Sequence, residues 1–126
     1  MEYYTIREMT RRFSLPASTL RYYEQEGLLP PVGRTPEGQR IYDARHAGRL
    51  ETIACFKGTG MTIAQLRQLF RYEQDGDACI GEILALLRDQ RDHVRAEIEK
   101  MQETLTHVER KICRYEARRE ELERGH

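Results

Sequence analysis

The chain has 126 residues, with 21 basic and 21 acidic side chains that cancel to a formal net charge of zero. This length allows one domain or a small domain with an appendage, and the 33% content of charged residues is too high for a membrane protein. There is no apolar signal segment and no long apolar run, and Cys55, Cys79 and Cys113 form no CxxC pair or disulfide framework, so we expect a cytoplasmic protein without membrane attachment.

The first 27 residues predict two short helices joined by a tight turn. Thr5-Ile-Arg-Glu8 is a capping box, which predicts a first helix at 6–12. Pro16 precedes a second helix at 17–25, which stops before Gly27. Two helices in this arrangement form the recognition unit of a helix-turn-helix. The second helix displays Thr19, Arg21, Tyr22 and Tyr23.

The segment after the second helix predicts a β-wing. Two short extended runs flank Thr35-Pro-Glu-Gly38, which is a turn-forming sequence. The wing carries Arg34 near its tip and Arg40 on its return strand. Two basic side chains on a hairpin beside a recognition helix indicate a surface for a polyanion.

Two more helices and a linker follow the wing. Asp43 is a suitable N-cap for a third helix, and Thr62-Ile-Ala-Gln65 is a capping box for a fourth. The polar residues 72–79 predict a linker. The charge changes at the same point, from a net +4 in residues 1–71 to −4 in the remainder, so the neutral total conceals a basic first half.

The second half predicts a long helix at 80–124 that pairs with another helix. Apolar residues recur at alternating spacings of four and three over six heptads, interrupted at Arg91 and Arg119. A seam this narrow is typical of a coiled coil, and no turn residues at 88–124 permit a hairpin, so we expect a homodimer. The pattern alone leaves parallel and antiparallel pairing open. The predicted dimer seam comprises Leu84, Leu87, Val94, Ile98, Met101, Leu105, Val108 and Ile112.

The basic half has the chemistry of a module that binds double-stranded DNA. Arginines on a helix and a wing neutralise phosphates, while other side chains reach base edges in the major groove. Tyrosine hydroxyls add donors to phosphate oxygens without adding charge. The alternatives are that Tyr22 and Tyr23 are packing residues and that Arg21 and Arg40 are ordinary surface charges.

Several of these elements together resemble the DNA-binding domain of the MerR family of transcription regulators. They are Thr19-Leu-Arg-Tyr-Tyr-Glu24, then Gly27-Leu-Leu-Pro-Pro31, then Arg34, Gly38, Arg40 and Tyr42. The resemblance covers residues 3–71, and the long helix extends it. It implies a mainly α fold, in which a winged helix-turn-helix DNA-binding domain (1–71) is followed by an antiparallel coiled-coil dimerisation helix (80–124).

The MerR resemblance also implies a function. Family members bind a pseudo-palindromic promoter operator and activate transcription by distorting the DNA, so that RNA polymerase can use poorly spaced promoter elements. One departure concerns the operator sequence, since many members have Arg where this chain has Ser18. The DNA contacts carried over by position are Thr19, Arg21, Tyr22, Arg34, Arg40, Tyr42 and Lys57.

Cys55 is a candidate sensing thiol. The segment 53–63 resembles an AdhR- and NmlR-like subgroup of the family, in which a cysteine at this point is linked to sensing aldehydes or other electrophiles. A thiolate near Lys57 and the arginines of the DNA domain would have a lowered pKa and would react with electrophiles or oxidants. The alternative is that Cys55 is a small buried apolar residue.

A soft-metal sensor is the second reading of the cysteines. Cys79 precedes the long helix and Cys113 lies near its end, so antiparallel pairing would bring them together across the dimer. Two thiolates can hold a soft linear ion but are too few for a divalent metal site, so the primary prediction includes no metal. A small organic ligand between the two parts of the chain, or a DNA-binding dimer without an effector, are further possibilities.

An enzyme is the least supported class. No nucleophile–base arrangement, glycine-rich phosphate loop or pair of catalytic carboxylates is evident, so we predict no catalytic residues and no cofactor. A coiled-coil adaptor would not need the wing arginines. The expected partners are therefore promoter DNA, a second copy of the chain and RNA polymerase.

Overall fold

The computed structural model describes residues 2–125, and within this range the chain is mainly helical. The N-terminal elements are β1 (Tyr4–Thr5), α1 (Ile6–Phe13), α2 (Ala17–Gln25), β2 (Gly33–Arg34) and β3 (Arg40–Tyr42). They are followed by α3 (Ala44–Lys57), α4 (Ile63–Asp75), a 3-10 turn (Gly76–Cys79) and α5 (Ile80–Arg124).

The predicted capping boxes are present and begin their helices. Thr5 Oγ1 accepts from the Glu8 backbone N–H at 3.1 Å, and Glu8 Oε1 accepts from the Thr5 N–H at 2.9 Å. Thr62 and Gln65 make the same reciprocal pair at α4. These bonds satisfy donors that the first turn of a helix leaves unpaired, so the start of each helix follows from local sequence.

The wing is part of a three-stranded antiparallel sheet in the order β1-β3-β2. Gly33 pairs with Ile41, and Tyr4 of β1 pairs with Tyr42 on the other edge of β3. The turn between β2 and β3 places Gly38 at φ +85°, a conformation that favours glycine. Strand β1 was not predicted, because two residues are too few to show an alternating pattern.

A single core holds α1–α4 and the sheet together. Met9 of α1, Leu20 of α2 and Leu66 of α4 are completely buried, so each helix contributes its apolar face to the same interior. Arg67 Nε donates to the Glu26 carbonyl at 3.0 Å, and Arg49 donates to the Leu28 carbonyl at 3.0 Å. The end of α2 is therefore anchored to both α3 and α4.

The segment predicted as a linker at 72–79 is helical. Helix α4 continues to Asp75, and the 3-10 turn begins at Gly76, whose φ of +61° ends the α-helix. The break between α4 and the 3-10 turn is confined to Gly76, so the polar residues on either side of it remain helical. The chain divides into two compact units, one ending at Leu86 and the other beginning at Leu87.

Helix α5 is continuous over 45 residues and carries an exposed apolar stripe. Met101 is 70% exposed and Ile98 is 62% exposed, although both are large apolar side chains. Leu84, Leu105, Val108 and Ile112 of the predicted seam are exposed as well. None of the helices in the described range is long and apolar enough to cross a membrane.

Candidate nucleic-acid interface

Helix α2 presents one face to solvent and one to the core. Arg21 and Tyr22 are exposed, whereas Tyr23 is 3% exposed and Leu20 is completely buried. Thr19 is half-buried in the first turn of the helix. The packing interpretation is therefore correct for Tyr23 and wrong for Tyr22, and Arg21 and Tyr22 are accessible to DNA.

The wing brings two arginines to the same side of the domain as α2. Arg34 is exposed and donates from Nη1 to the Gly38 carbonyl at 3.0 Å, a bond within the hairpin itself. Arg40 is half-buried and donates from Nε to Glu24 Oε2 at 2.7 Å. Because Glu24 belongs to α2, this ion pair joins the return strand of the wing to the recognition helix.

Tyr42 does not lie at the surface, and the prediction that it contacts DNA is corrected. Its side chain is 0% exposed, and its ring makes an edge-to-face contact with His46 at 5.4 Å between centroids. Its hydroxyl is buried and has no hydrogen-bond partner in the described structure. Burial raises the pKa of Tyr42, and the Glu24 carboxylate raises it further. Tyr42 is the last residue of β3 and pairs with Tyr4 of β1, and its side chain is part of the core.

A basic cleft of about 500 Å³ lies between α1, α2 and the wing. Three arginines line it, namely Arg7 of α1, Arg21 of α2 and Arg40 of β3. Clustered guanidinium groups attract phosphate and can bind it through two parallel hydrogen bonds. Arg7 was not predicted as a DNA contact, because its place on the first helix gave no local signal that it faces the wing.

Lys57 lies at the C-terminal end of α3 and is exposed. Its Nζ is 5.7 Å from the centroid of the Tyr23 ring, so the ammonium group lies against α2. This cation–π contact keeps the charge near the recognition helix. The proposed role of Lys57 in DNA binding stays a prediction.

The three cysteines lie in different environments. Cys55 of α3 is exposed, which contradicts the alternative of a buried packing residue, and Cys113 is also exposed. Cys79 is half-buried, and burial together with the nearby Glu82 and Asp75 carboxylates raises its pKa. Between residues 2 and 125, no three His, Cys, Asp or Glu side chains group as a metal site.

Two family models match this chain. The model described as "MerR HTH family regulatory protein" matches residues 4–73, which is more than half of the chain. A second, described as "MerR, DNA binding", matches residues 47–110 and so includes α3, α4 and part of α5. Together they extend from the helix-turn-helix into the long helix.

Curated relatives of the chain are transcriptional regulators rather than enzymes. An uncharacterised HTH-type transcriptional regulator of Haemophilus influenzae is 32% identical over 90% of this chain and 84% of its own length. The HTH-type transcriptional regulator AdhR of Bacillus subtilis is 35% identical over 71% of this chain and 64% of its own length, so this chain spans somewhat under two thirds of AdhR.

A solved structure shares the fold over nearly the whole chain. It is described as HiNmlR, a MerR family regulator lacking the sensor domain, bound to promoter DNA. The two proteins are 31% identical, the TM-score is 0.81, and the match covers 91% of each chain.

Proposed function

The chain belongs to the MerR family of helix-turn-helix regulatory proteins, and we propose that it binds a pseudo-palindromic promoter operator as a homodimer in the cytoplasm. It is a DNA-binding transcriptional regulator. Binding would bend and untwist the operator, so that RNA polymerase can use promoter elements that are otherwise misaligned. The energy for this distortion comes from phosphate contacts on both sides of the bend.

The basic cleft is the observation that carries this proposal. Arg7, Arg21 and Arg40 converge from a helix, the recognition helix and the wing, and Arg34 and Tyr22 are exposed beside them. A helix in the major groove with a wing along the adjacent backbone needs this combination of positive charge and exposed aromatic donors.

The exposed stripe of α5 supports the homodimer. Large apolar side chains that are 46% to 70% exposed between Ile98 and Leu122 destabilise an isolated helix and mark an interaction surface. Two copies of the same stripe would bury each other through heptad packing. A symmetric dimer would place two DNA-binding halves in fixed relation, as a pseudo-palindromic operator requires.

DNA binding is tested by comparing Arg21→Ala with Arg110→Ala. Both changes remove one exposed arginine, but Arg110 lies on the outer face of α5, away from the seam. We expect Arg21→Ala to weaken binding by about 1–3 kcal/mol and to reduce the slope of log affinity against log salt by about 1. Fluorescence anisotropy with a duplex selected by the wild type from a randomised pool measures both quantities.

Equal affinities for the two variants would contradict the assignment of the interface to α2 and the wing. If the wild type selects no duplex at any salt concentration, the proposal that the chain binds a promoter operator is refuted. Arg110→Ala also checks that a change of one charge does not weaken binding wherever it is made.

We further propose that Cys55 is the site at which an electrophile or oxidant acts. Its exposure supports this, because a reagent reaches the thiol without unfolding of the domain. With an aldehyde, the Cys55 sulfur adds to the carbonyl carbon and the carbonyl oxygen takes up a proton, which gives a hemithioacetal. An adduct on α3 would act on α2 through their shared core.

The matched control for Cys55 is Cys113, because both thiols are exposed. Wild type, Cys55→Ser and Cys113→Ser are treated separately with glyoxal, diamide and mercuric ion, and thiol mass and promoter transcription are followed together. We expect Cys55→Ser to lose the response to glyoxal and diamide while Cys113→Ser keeps it. Loss of the response in Cys113→Ser or Cys79→Ser alone would instead support the soft-metal or disulfide site across the dimer.

A further inference from the structure

A carboxylate lies within the basic surface that is proposed to contact DNA. Glu24 Oε2 accepts the Arg40 Nε–H at 2.7 Å, and the two side chains are 27% and 25% exposed. A phosphate that approaches Arg40 therefore meets a guanidinium group that already has an anionic partner.

The Glu24–Arg40 pair is partly shielded from water. The Tyr42 hydroxyl, which interacts electrostatically with both Glu24 and Arg40, is fully buried, so this part of the domain is shielded from solvent. Arg21, Arg34 and Arg40 all act electrostatically on Tyr42, so the pair lies in a region of positive charge. An ion pair in such a setting is stronger and less screened by salt than one in open solvent.

The pair also connects two elements that are 16 residues apart in sequence. The wing contributes short strands to a small sheet, and the exposed arm of its hairpin has few contacts with the rest of the domain. Holding Arg40 against α2 fixes the distance between the charge on the wing and the side chains on the recognition helix. That distance determines which DNA shapes present a phosphate and a base edge at the same time.

From this geometry we propose that Glu24 is a specificity-determining positioning residue, which holds Arg40 in place and withholds its charge from non-cognate DNA. The inference rests on the proposed function. DNA of the wrong shape must break the ion pair to gain a phosphate contact and does not recover that cost elsewhere. Operator DNA presents its phosphate to Arg40 in the position where Glu24 holds it, alongside Arg21 and Arg7, and binds without breaking the pair.

The test compares Glu24→Gln with Glu37→Gln. Each change removes one negative charge, but Glu37 is an exposed residue of the wing turn that makes no ion pair in the described part of the chain. Dissociation constants are measured for the duplex selected by the wild type and for a shuffled duplex of the same composition. We expect Glu24→Gln to bind the shuffled duplex more tightly without a matching gain on the selected one, so that the specificity ratio falls about tenfold or more.

Glu24→Asp keeps the charge at this position, and it is expected to keep the specificity ratio within about threefold of the wild-type value. This rescue separates the effect of the carboxylate from a change in folding, which thermal melting of each variant monitors independently. If Glu24→Gln does not fold, a Glu24→Asp ratio near the wild-type value supports the proposal and a tenfold loss overturns it.

Two results would overturn the proposal outright. One is an equal tightening on both duplexes, as expected for Glu37→Gln, because Glu24 would then be a simple repulsive charge. The other is an unchanged pair of affinities. Failure of the wild type to discriminate between the duplexes would refute the proposed function rather than the role of Glu24.

Discussion

At the residue scale, Asp43 and His46 form a buried polar pair at the start of α3. His46 Nδ1 accepts the Asp43 backbone N–H at 3.0 Å, so this ring nitrogen carries no proton. Nε2 lies 3.1 Å from the Pro30 carbonyl and 3.2 Å from that of Pro31, and it must therefore be the protonated donor. The ring ties the segment before the wing to α3, with histidine in the capping position that glutamate usually fills.

The Asp43 carboxylate leads to a prediction about pH. Its hydrogen bond from the Arg45 side chain is the largest of the effects that lower the pKa of Asp43 from 3.8 to about 2. Because the pKa is lower in the folded state, the ionised carboxylate stabilises the fold above about pH 4, and this contribution is lost as the pH falls through about 2.

Asp43→Asn isolates this contribution, since asparagine keeps the oxygen that caps α3 but has no charge. The difference in free energy of unfolding between wild type and variant is expected to be constant above about pH 5 and to shrink toward pH 2. Urea unfolding at a series of pH values measures it. A difference that stays constant down to pH 2 would show that the charge does not contribute.

At the element scale, two glycines in equally open positions have opposite backbone requirements. Gly48 lies within α3, and Gly38 lies in the wing turn at φ +85°. A Cβ added at either position meets no atom within 4 Å. A substitution by alanine therefore changes stability through the backbone conformation and not through side-chain packing.

We expect Gly48→Ala to stabilise the domain by about 0.5–1 kcal/mol, because alanine loses less conformational entropy than glycine when a helix forms. Gly38→Ala is expected to destabilise it by about 1 kcal/mol or more, since an L-residue is strained at positive φ. Chemical denaturation of both variants at one protein concentration provides the comparison. Shifts of the same sign in both would contradict this account.

At the scale of the whole molecule, the chain joins a globular unit, whose residues 1–71 carry a net charge of +4, to the nearly neutral helix α5, which has 11 acidic and 10 basic side chains. The globular unit buries its apolar residues against one another, whereas α5 leaves its apolar stripe uncovered. The excess of positive charge lies in residues 1–71, while the dimer stripe of α5 is apolar. DNA binding and dimerisation can therefore be separated by substitution.

Leu105→Glu tests the seam, and Ala96→Glu is its control. Leu105 lies in the apolar stripe and is 49% exposed, whereas Ala96 lies on the outer face of the same helix. A carboxylate buried in the seam would be costly, so we expect Leu105→Glu to sediment as a monomer and Ala96→Glu as a dimer. Sedimentation velocity of both variants distinguishes these states. Identical sedimentation of the two would place the dimer contact elsewhere.

Features set by neighbouring residues were predictable from the sequence. The capping boxes at Thr5 and Thr62 and the heptads of α5 each depend on residues a few positions apart, and the structure confirms the helices that they predict. Contacts between distant segments were not predictable. The bond from Arg40 to Glu24 requires the wing to fold back on α2, and no local pattern encodes that approach.

The burial of Tyr42 illustrates the same limit. A tyrosine between arginines and an aspartate has the composition of a surface segment, and the family resemblance placed it at the DNA. The pairing of Tyr42 with Tyr4 of the unpredicted strand β1 turns its ring inward instead. Side-chain direction in a three-residue strand is set by its partner strands, which the sequence alone did not reveal.

The exposed stripe of α5 makes the stability of this helix depend on how much protein is present. If a second copy is what covers the stripe, association and folding of α5 are one equilibrium, and its midpoint moves with chain concentration. The globular unit has a complete core of its own, so its folding does not depend on chain concentration. Dilution alone is therefore expected to unfold α5 while the DNA-binding half stays folded. Helicity measured over a dilution series would then fall by the contribution of α5 and keep that of the globular unit.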